Sequence, residues 1–146
     1  MANKFQQGPY VVMNPKKYAG KGVPKYRSGW ELAFMRFCDS NDHIITWSSE
    51  SLVIPYINPL TGKQTRYIPD FLIQYRNKHN KVVTELIEIK PKKQSILESK
   101  ANNRDRMVVA VNHAKWAAAQ KWCQRSGLTF RVITEEDIFR QGGKRK

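Results

Sequence analysis

Residues 82–90, Val-Val-Thr-Glu-Leu-Ile-Glu-Ile-Lys, constrain the fold more than any other stretch of the chain. The run is rich in β-branched residues, and Pro91, which has no N–H to give a neighbouring strand, ends it. Alternate side chains of a strand share a face, so Leu86, Glu88 and Lys90 point one way and Ile87 and Ile89 the other, into the core. The two isoleucines fix the register, and a Glu and a Lys project side by side near the strand end. A second strand is expected over residues 65–75, interrupted at Pro69, with a polar turn over 76–81. If the two pair as a hairpin centred on His79, Asp70 comes opposite Glu88.

The remaining pattern surrounds this hairpin. Ser28-x-x-Glu31 is a capping box and predicts a helix over 29–39, with Trp30, Ala33, Phe34, Phe37 and Cys38 as its apolar face. Apolar runs at 44–47 and 52–57 read as strands, and 58–63 as a turn. Residues 92–106 are polar and without clear periodicity. A long helix then runs to about Ser126, with Val108, Val111, Lys115, Ala118, Ala119 and Trp122 on one face and the Lys115 stem snorkelling beside the apolar groups. Gly127 suits the position after the helix. Residues 128–133 form a last strand, and Thr134 caps a short last helix. This order predicts an α/β or α+β domain with a mixed sheet. The body spans 27–140, between a basic arm of residues 1–26, broken by glycine and proline, and a basic tail of 141–146.

Charge narrows the partner. Lys and Arg number 26 against 12 Asp and Glu, a formal net charge of +14 in 146 residues. A domain this basic repels itself, which points to a polyanion, with nucleic acid ahead of a membrane. No apolar run approaches the roughly 18 residues of a spanning helix, and residues 1–14 lack a signal-peptide core, so the expectation is a cytosolic protein with no membrane partner. Cys38 and Cys123 are expected as reduced core residues. His43, His79 and His113 are scattered and form no zinc pattern.

Asp70 and Glu88 side by side would repel unless a cation sits between them. Oxygen ligands suit Mg²⁺, with Mn²⁺ able to substitute, and the main-chain carbonyl of Ile89 adds another oxygen. Lys90 is placed to orient or deprotonate a water, or to stabilise charge on a phosphate. Glu31 has two readings of equal weight: third residue of the capping box, or a third site acid reaching the metal directly or through water.

The set Arg27-Ser28-x-x-Glu31, Pro69-Asp70 and Glu88-x-Lys90 resembles the PD-(D/E)xK nuclease superfamily. Tyr26-Arg27-Ser28-x-Trp30-Glu31-x-x-Phe34-Met35-Arg36 is similar to the small head completion nucleases of tailed phages and the TnsA-type endonucleases. The resemblance implies an α/β, restriction-endonuclease-like fold and Mg²⁺-dependent cleavage of DNA by Glu31, Asp70, Glu88 and Lys90. It further implies trimming of DNA ends as a packaged head is completed, in the infected bacterial cytoplasm, with phage head or portal proteins as partners and incorporation in the virion. Arg27, Lys92, Lys93, Lys100, Arg104 and Arg106 are the expected DNA-binding residues. Alternative readings are a non-catalytic DNA-binding protein that seals the head, and a junction resolvase on the same fold. Monomer and homodimer both remain open.

Overall fold

The structure, a computed structural model, describes residues 7–95 and 102–137. Its centre is a mixed four-stranded sheet in the order β3 (Ile44–Ser49), β6 (Phe71–Arg76), β7 (Val82–Ile89) and β8 (Thr129–Ile133). β6 runs antiparallel to both β3 and β7, and β8 lies parallel to β7. β7 therefore has a neighbour on each side, and both its faces are covered. Ile87 and Ile89 enter one cluster with Leu32, Phe34, Met35 and Cys38 of helix α1 (Gly29–Ser40), Trp47 and Phe71. Leu86 enters the other, with Ala119 and Cys123 of helix α2 (Asn103–Ser126). Strands β4 (Ile54–Ile57) and β5 (Gln64–Tyr67) form a separate antiparallel ribbon that packs on α2 through Ile54, Tyr56 and Tyr67. The expected α/β architecture, a mixed sheet flanked by helices, is the one observed.

The β6–β7 register is the one anticipated from the turn. Phe71 pairs with Ile87 and Arg76 with Val82, so every pair is symmetric about residue 79. The turn itself is held by Asn77, whose side-chain oxygen accepts from the N–H groups of His79 and Lys81, while Asn80 adopts a positive φ of 61°.

Three expectations are corrected. The strand expected over 65–75 is two strands in different sheets. Pro69 cannot donate to a ladder and holds Ile68 extended, and the chain leaves the ribbon there before entering the central sheet. On α1, Phe37 is exposed, and the buried stripe runs through Leu32, Phe34, Met35, Cys38 and Asp39. On α2, Val109, Asn112, Ala119 and Cys123 are the buried residues, whereas Val108 is exposed. α2 starts at Asn103, capped by the Asn102 side chain accepting from the Asp105 N–H, and ends at Gly127 with φ 76°. Both cysteines are free and buried. No described helix is long and apolar enough to cross a membrane.

The arm's described part packs on the body. β1 (Gly8–Pro9) pairs with β2 (Lys25–Tyr26), a short 3₁₀ turn spans Pro15–Lys17, and Tyr10 and Tyr18 stack edge-on against Trp47. Asp39 is the anchor. Its carboxylate accepts from the Tyr10 hydroxyl at 2.6 Å and from the N–H groups of Met13 at 2.7 Å and Asn14 at 3.0 Å. This explains a buried acid on α1 outside the apolar face expected from periodicity. Burial acts to raise its pKa, but the hydrogen bonds from Tyr10, Met13 and Asn14 outweigh it and hold the carboxyl below its ordinary value. Its contribution is therefore present above the ordinary carboxylate pKa and is lost as pH falls through the depressed value. Asp39→Ala leaves three donors unpaired and is expected to cost about 2–4 kcal/mol in urea unfolding at pH 7, with faster amide exchange at Met13 and Asn14. A loss under roughly 0.5 kcal/mol would contradict the anchoring role.

Candidate active site

Three elements converge at the end of the β6–β7 hairpin. Asp70 stands one residue before β6, and its carboxylate oxygen Oδ2 accepts the Ile89 N–H at 2.7 Å. Glu88 is 4% exposed, on the face of β7 opposite the isoleucines. Its Oε1 accepts from the Tyr67 hydroxyl at 2.8 Å, and its Oε2 lies 3.6 Å from Lys90 Nζ. Glu31 is the third acid. The Ser28 Oγ accepts the Glu31 N–H at 3.1 Å, as in a capping box. The Glu31 carboxylate accepts the N–H of Arg27, not that of Ser28, at 2.9 Å. Glu31 thus serves the helix end and also feels the site: its charge opposes ionisation of Asp70.

Electrostatics bind the acids into one unit. Burial, then Glu88, then Glu31 push the Asp70 carboxyl well above its usual range, against the Ile89 N–H and Lys90. Burial raises Glu88, opposed by Lys90 and Tyr67. Burial also raises Glu31, opposed by the Arg27 N–H, with Glu50 adding to the rise. Such mutual repulsion is what acids display where a cation belongs. Among the described residues no three acids, histidines or cysteines close on one point to make a complete cage. Mg²⁺ does not need one, because it keeps several waters and is commonly held by one or two carboxylates. The oxygen donor set therefore fits such an ion.

Two residues of the neighbourhood are not singled out by the sequence. Glu50 makes a two-point ion pair with the Arg27 guanidinium, at 2.7 and 3.1 Å, and its N–H bonds to the Asp70 carbonyl at 2.9 Å. It holds a positive φ of 51°, which is uncommon for a non-glycine residue, and nothing in the loop sequence signals it. Lys115 lies over the Tyr67 ring, with Nζ 5.6 Å from the centroid. The signal was present, since a lysine falls on the inward stripe of α2, but it reads equally as snorkelling.

Of the expected DNA contacts, Arg27, Lys92, Arg104 and Arg106 have described side chains. Arg27 is exposed at the rim, paired with Glu50. Lys92 bonds through its N–H to Glu135 and through Nζ to Glu136 at 3.0 Å. Arg104 and Arg106 are exposed on the first turn of α2. Lys100 and the side chain of Lys93 lie outside the described residues.

Because burial raises all three carboxyls, with neighbouring acids adding to the rise at Asp70 and Glu31, protonation stabilises the folded state. That contribution is present below the ordinary carboxylate pKa and is lost as pH rises through the raised values. Asp70→Asn keeps an oxygen for the Ile89 N–H and removes the charge. In EDTA at pH 7.5 it is expected to raise the melting midpoint by roughly 3–6 °C, with the gain shrinking as pH is lowered toward 4. A midpoint equal to or below wild type would contradict the repulsion.

The family model described as TnsA-like endonuclease N terminal matches residues 41–135, which include Asp70, Glu88 and Lys90 and exclude Glu31. The head completion nuclease of Enterobacteria phage T4 is 37% identical over 150 residues, covering 94% of this chain and 96% of that protein. The central sheet, the acids at its hairpin end and both similarities agree: the chain belongs to the TnsA-like endonuclease family.

Proposed function

We propose that the chain is a Mg²⁺-dependent DNA endonuclease whose active site is Glu31, Asp70, Glu88 and Lys90. The observation that carries this reading is geometric: the β6–β7 register brings Asp70, bonded to the Ile89 N–H at 2.7 Å, to the same strand end as Glu88, whose carboxylate lies 3.6 Å from Lys90 Nζ. Asp70 and Glu88 are the metal ligands, joined by the main-chain carbonyl of Ile89 and by Glu31, directly or through water. The bound ion would supply Lewis-acid charge and a water of lowered pKa.

The chain's own groups do the rest. Tyr67, its pKa driven up by burial and by Glu88, stays protonated and donates to Glu88, fixing that carboxylate. The Ile89 N–H fixes Asp70 in the same way. Lys90 is placed to orient the attacking water and to offset charge building on the phosphate. Arg27, Lys92, Lys93, Lys100, Arg104 and Arg106 bind the DNA backbone, and the absence of a recognition-helix pattern in the sequence makes backbone binding the default.

The relative's name, head completion nuclease, and its near full-length match support a role in finishing DNA ends as a phage head is completed. The protein then works in the infected cell's cytoplasm, meets phage head or portal proteins and is incorporated in the virion. Residues 27–140 form the nuclease domain, between the basic arm of 1–26 and the basic tail of 141–146, which lies outside the described residues.

Wild type is expected to cut plasmid and linear duplex DNA with Mg²⁺ or Mn²⁺ and not with EDTA. Asp70→Asn and Lys90→Ala are expected to lose at least about 10³-fold in rate while DNA affinity changes little. Gel-resolved cleavage under single-turnover conditions measures this. Full activity of Asp70→Asn would overturn the site, and DNA binding without cutting by wild type would favour the head-sealing reading.

A further inference from the structure

α2 packs a stripe of Val111, Ala114, Ala118, Ala119 and Trp122 against the ribbon and the central sheet, with Ala119 wholly buried. Lys115 interrupts this stripe. Val111 and Ala119 lie one turn to either side, so the Lys115 stem runs along the packed face. Its ammonium emerges over the ring of Tyr67, the residue whose hydroxyl holds Glu88. Among the described residues Lys115 makes neither a hydrogen bond nor an ion pair, so three N–H donors beside the acid cluster are unspent. Lys90, by contrast, already has Glu88 at 3.6 Å. A strongly hydrated ammonium half-buried in this way is unfavourable without an anion to receive it.

We propose that Lys115 is a second catalytic lysine, which binds the phosphate being cleaved from the α2 side, across the site from the hairpin. The inference rests on the nuclease reading and extends it. Lys90 is ion-paired with Glu88, whereas Lys115 feels Glu88 and Asp70 without bonding to either and keeps its donors for the substrate. Its charge meets the non-bridging oxygens, where negative charge grows in the transition state. The Tyr67 ring holds the ammonium in place by cation–π attraction until DNA arrives.

Lys115→Met keeps the apolar stem over Tyr67 and removes the charge, and Lys115→Arg keeps the charge. With saturating protein, Mg²⁺ and a linear duplex, Lys115→Met is expected to cut about 10- to 100-fold more slowly. Its affinity for the same duplex in Ca²⁺ should fall less than about threefold, its melting midpoint should not fall, and Lys115→Arg should recover most of the rate. A second readout does not depend on cutting. Reductive ¹³C-methylation of wild type keeps the lysine charge, and the Lys115 resonance, identified by its absence from Lys115→Met, should shift when a phosphorothioate duplex is added. Wild-type cleavage with undiminished rate in Lys115→Met, or with no shift of that resonance, overturns the inference and leaves the nuclease reading intact. A wild type that cuts no DNA while the resonance shifts overturns the nuclease reading and reduces Lys115 to a DNA contact. Neither cutting nor shift overturns both.

Discussion

The site depends on one hydrogen bond and the register behind it. The Ile89 N–H reaches the Asp70 carboxylate at 2.7 Å only because Phe71 pairs with Ile87. A slip of one residue would reverse every side chain of β7, sending Ile87 and Ile89 out of the α1 cluster and Glu88 into it. The apolar clusters on the two faces of the sheet therefore place this acid cluster as surely as they specify the fold. Pro69 completes the device: with no N–H to give a ladder it ends the ribbon, and Asp70, just ahead of β6, turns its carboxylate to the end of β7.

Around that point the molecule keeps charges where folding alone would not. Glu88 is buried beside Tyr67, Asp70 is driven up by burial and its neighbours, and Glu31 is drawn in from the cap of α1. Lys115 loses basicity to burial and to Lys90, partly restored by Glu88 and Asp70. Each of these groups is costly in isolation. Together they set acids and ammonium groups side by side at the open end of the β6–β7 hairpin, which is the basis of the proposed function. Glu50, at a left-handed backbone position, ties the rim to the centre through Arg27 and the Asp70 carbonyl.

Much of this was legible in the sequence because it rests on short-range rules. The capping box at Ser28, the αL glycine at 127, the Asn-rich turn about His79 and the alternation of β7 each have a local cause, and together they fix the hairpin register and the helix ends. What periodicity missed came from tertiary contacts. Phe37 and Val108 fit an apolar stripe and are exposed. Asp39 does not fit one and is buried, because the arm brings Tyr10, Met13 and Asn14 to it. The break between β5 and β6 is legible only as an interruption at Pro69, a strand edge or a local kink, since a proline does not show where the chain goes afterwards. Glu50 and Lys115 join the site through contacts more than 20 residues apart in sequence, to Arg27 and to Tyr67, which no spacing rule anticipates.

On the proposed function, Asp70 and Glu88 together hold a divalent ion. Calorimetric titration of Mn²⁺ into wild type and Asp70→Asn tests it most directly. The account predicts saturable binding to wild type that is lost, or weakened at least about tenfold, in the variant. Equal binding to both proteins, or none to wild type in the presence or absence of duplex DNA, would contradict it.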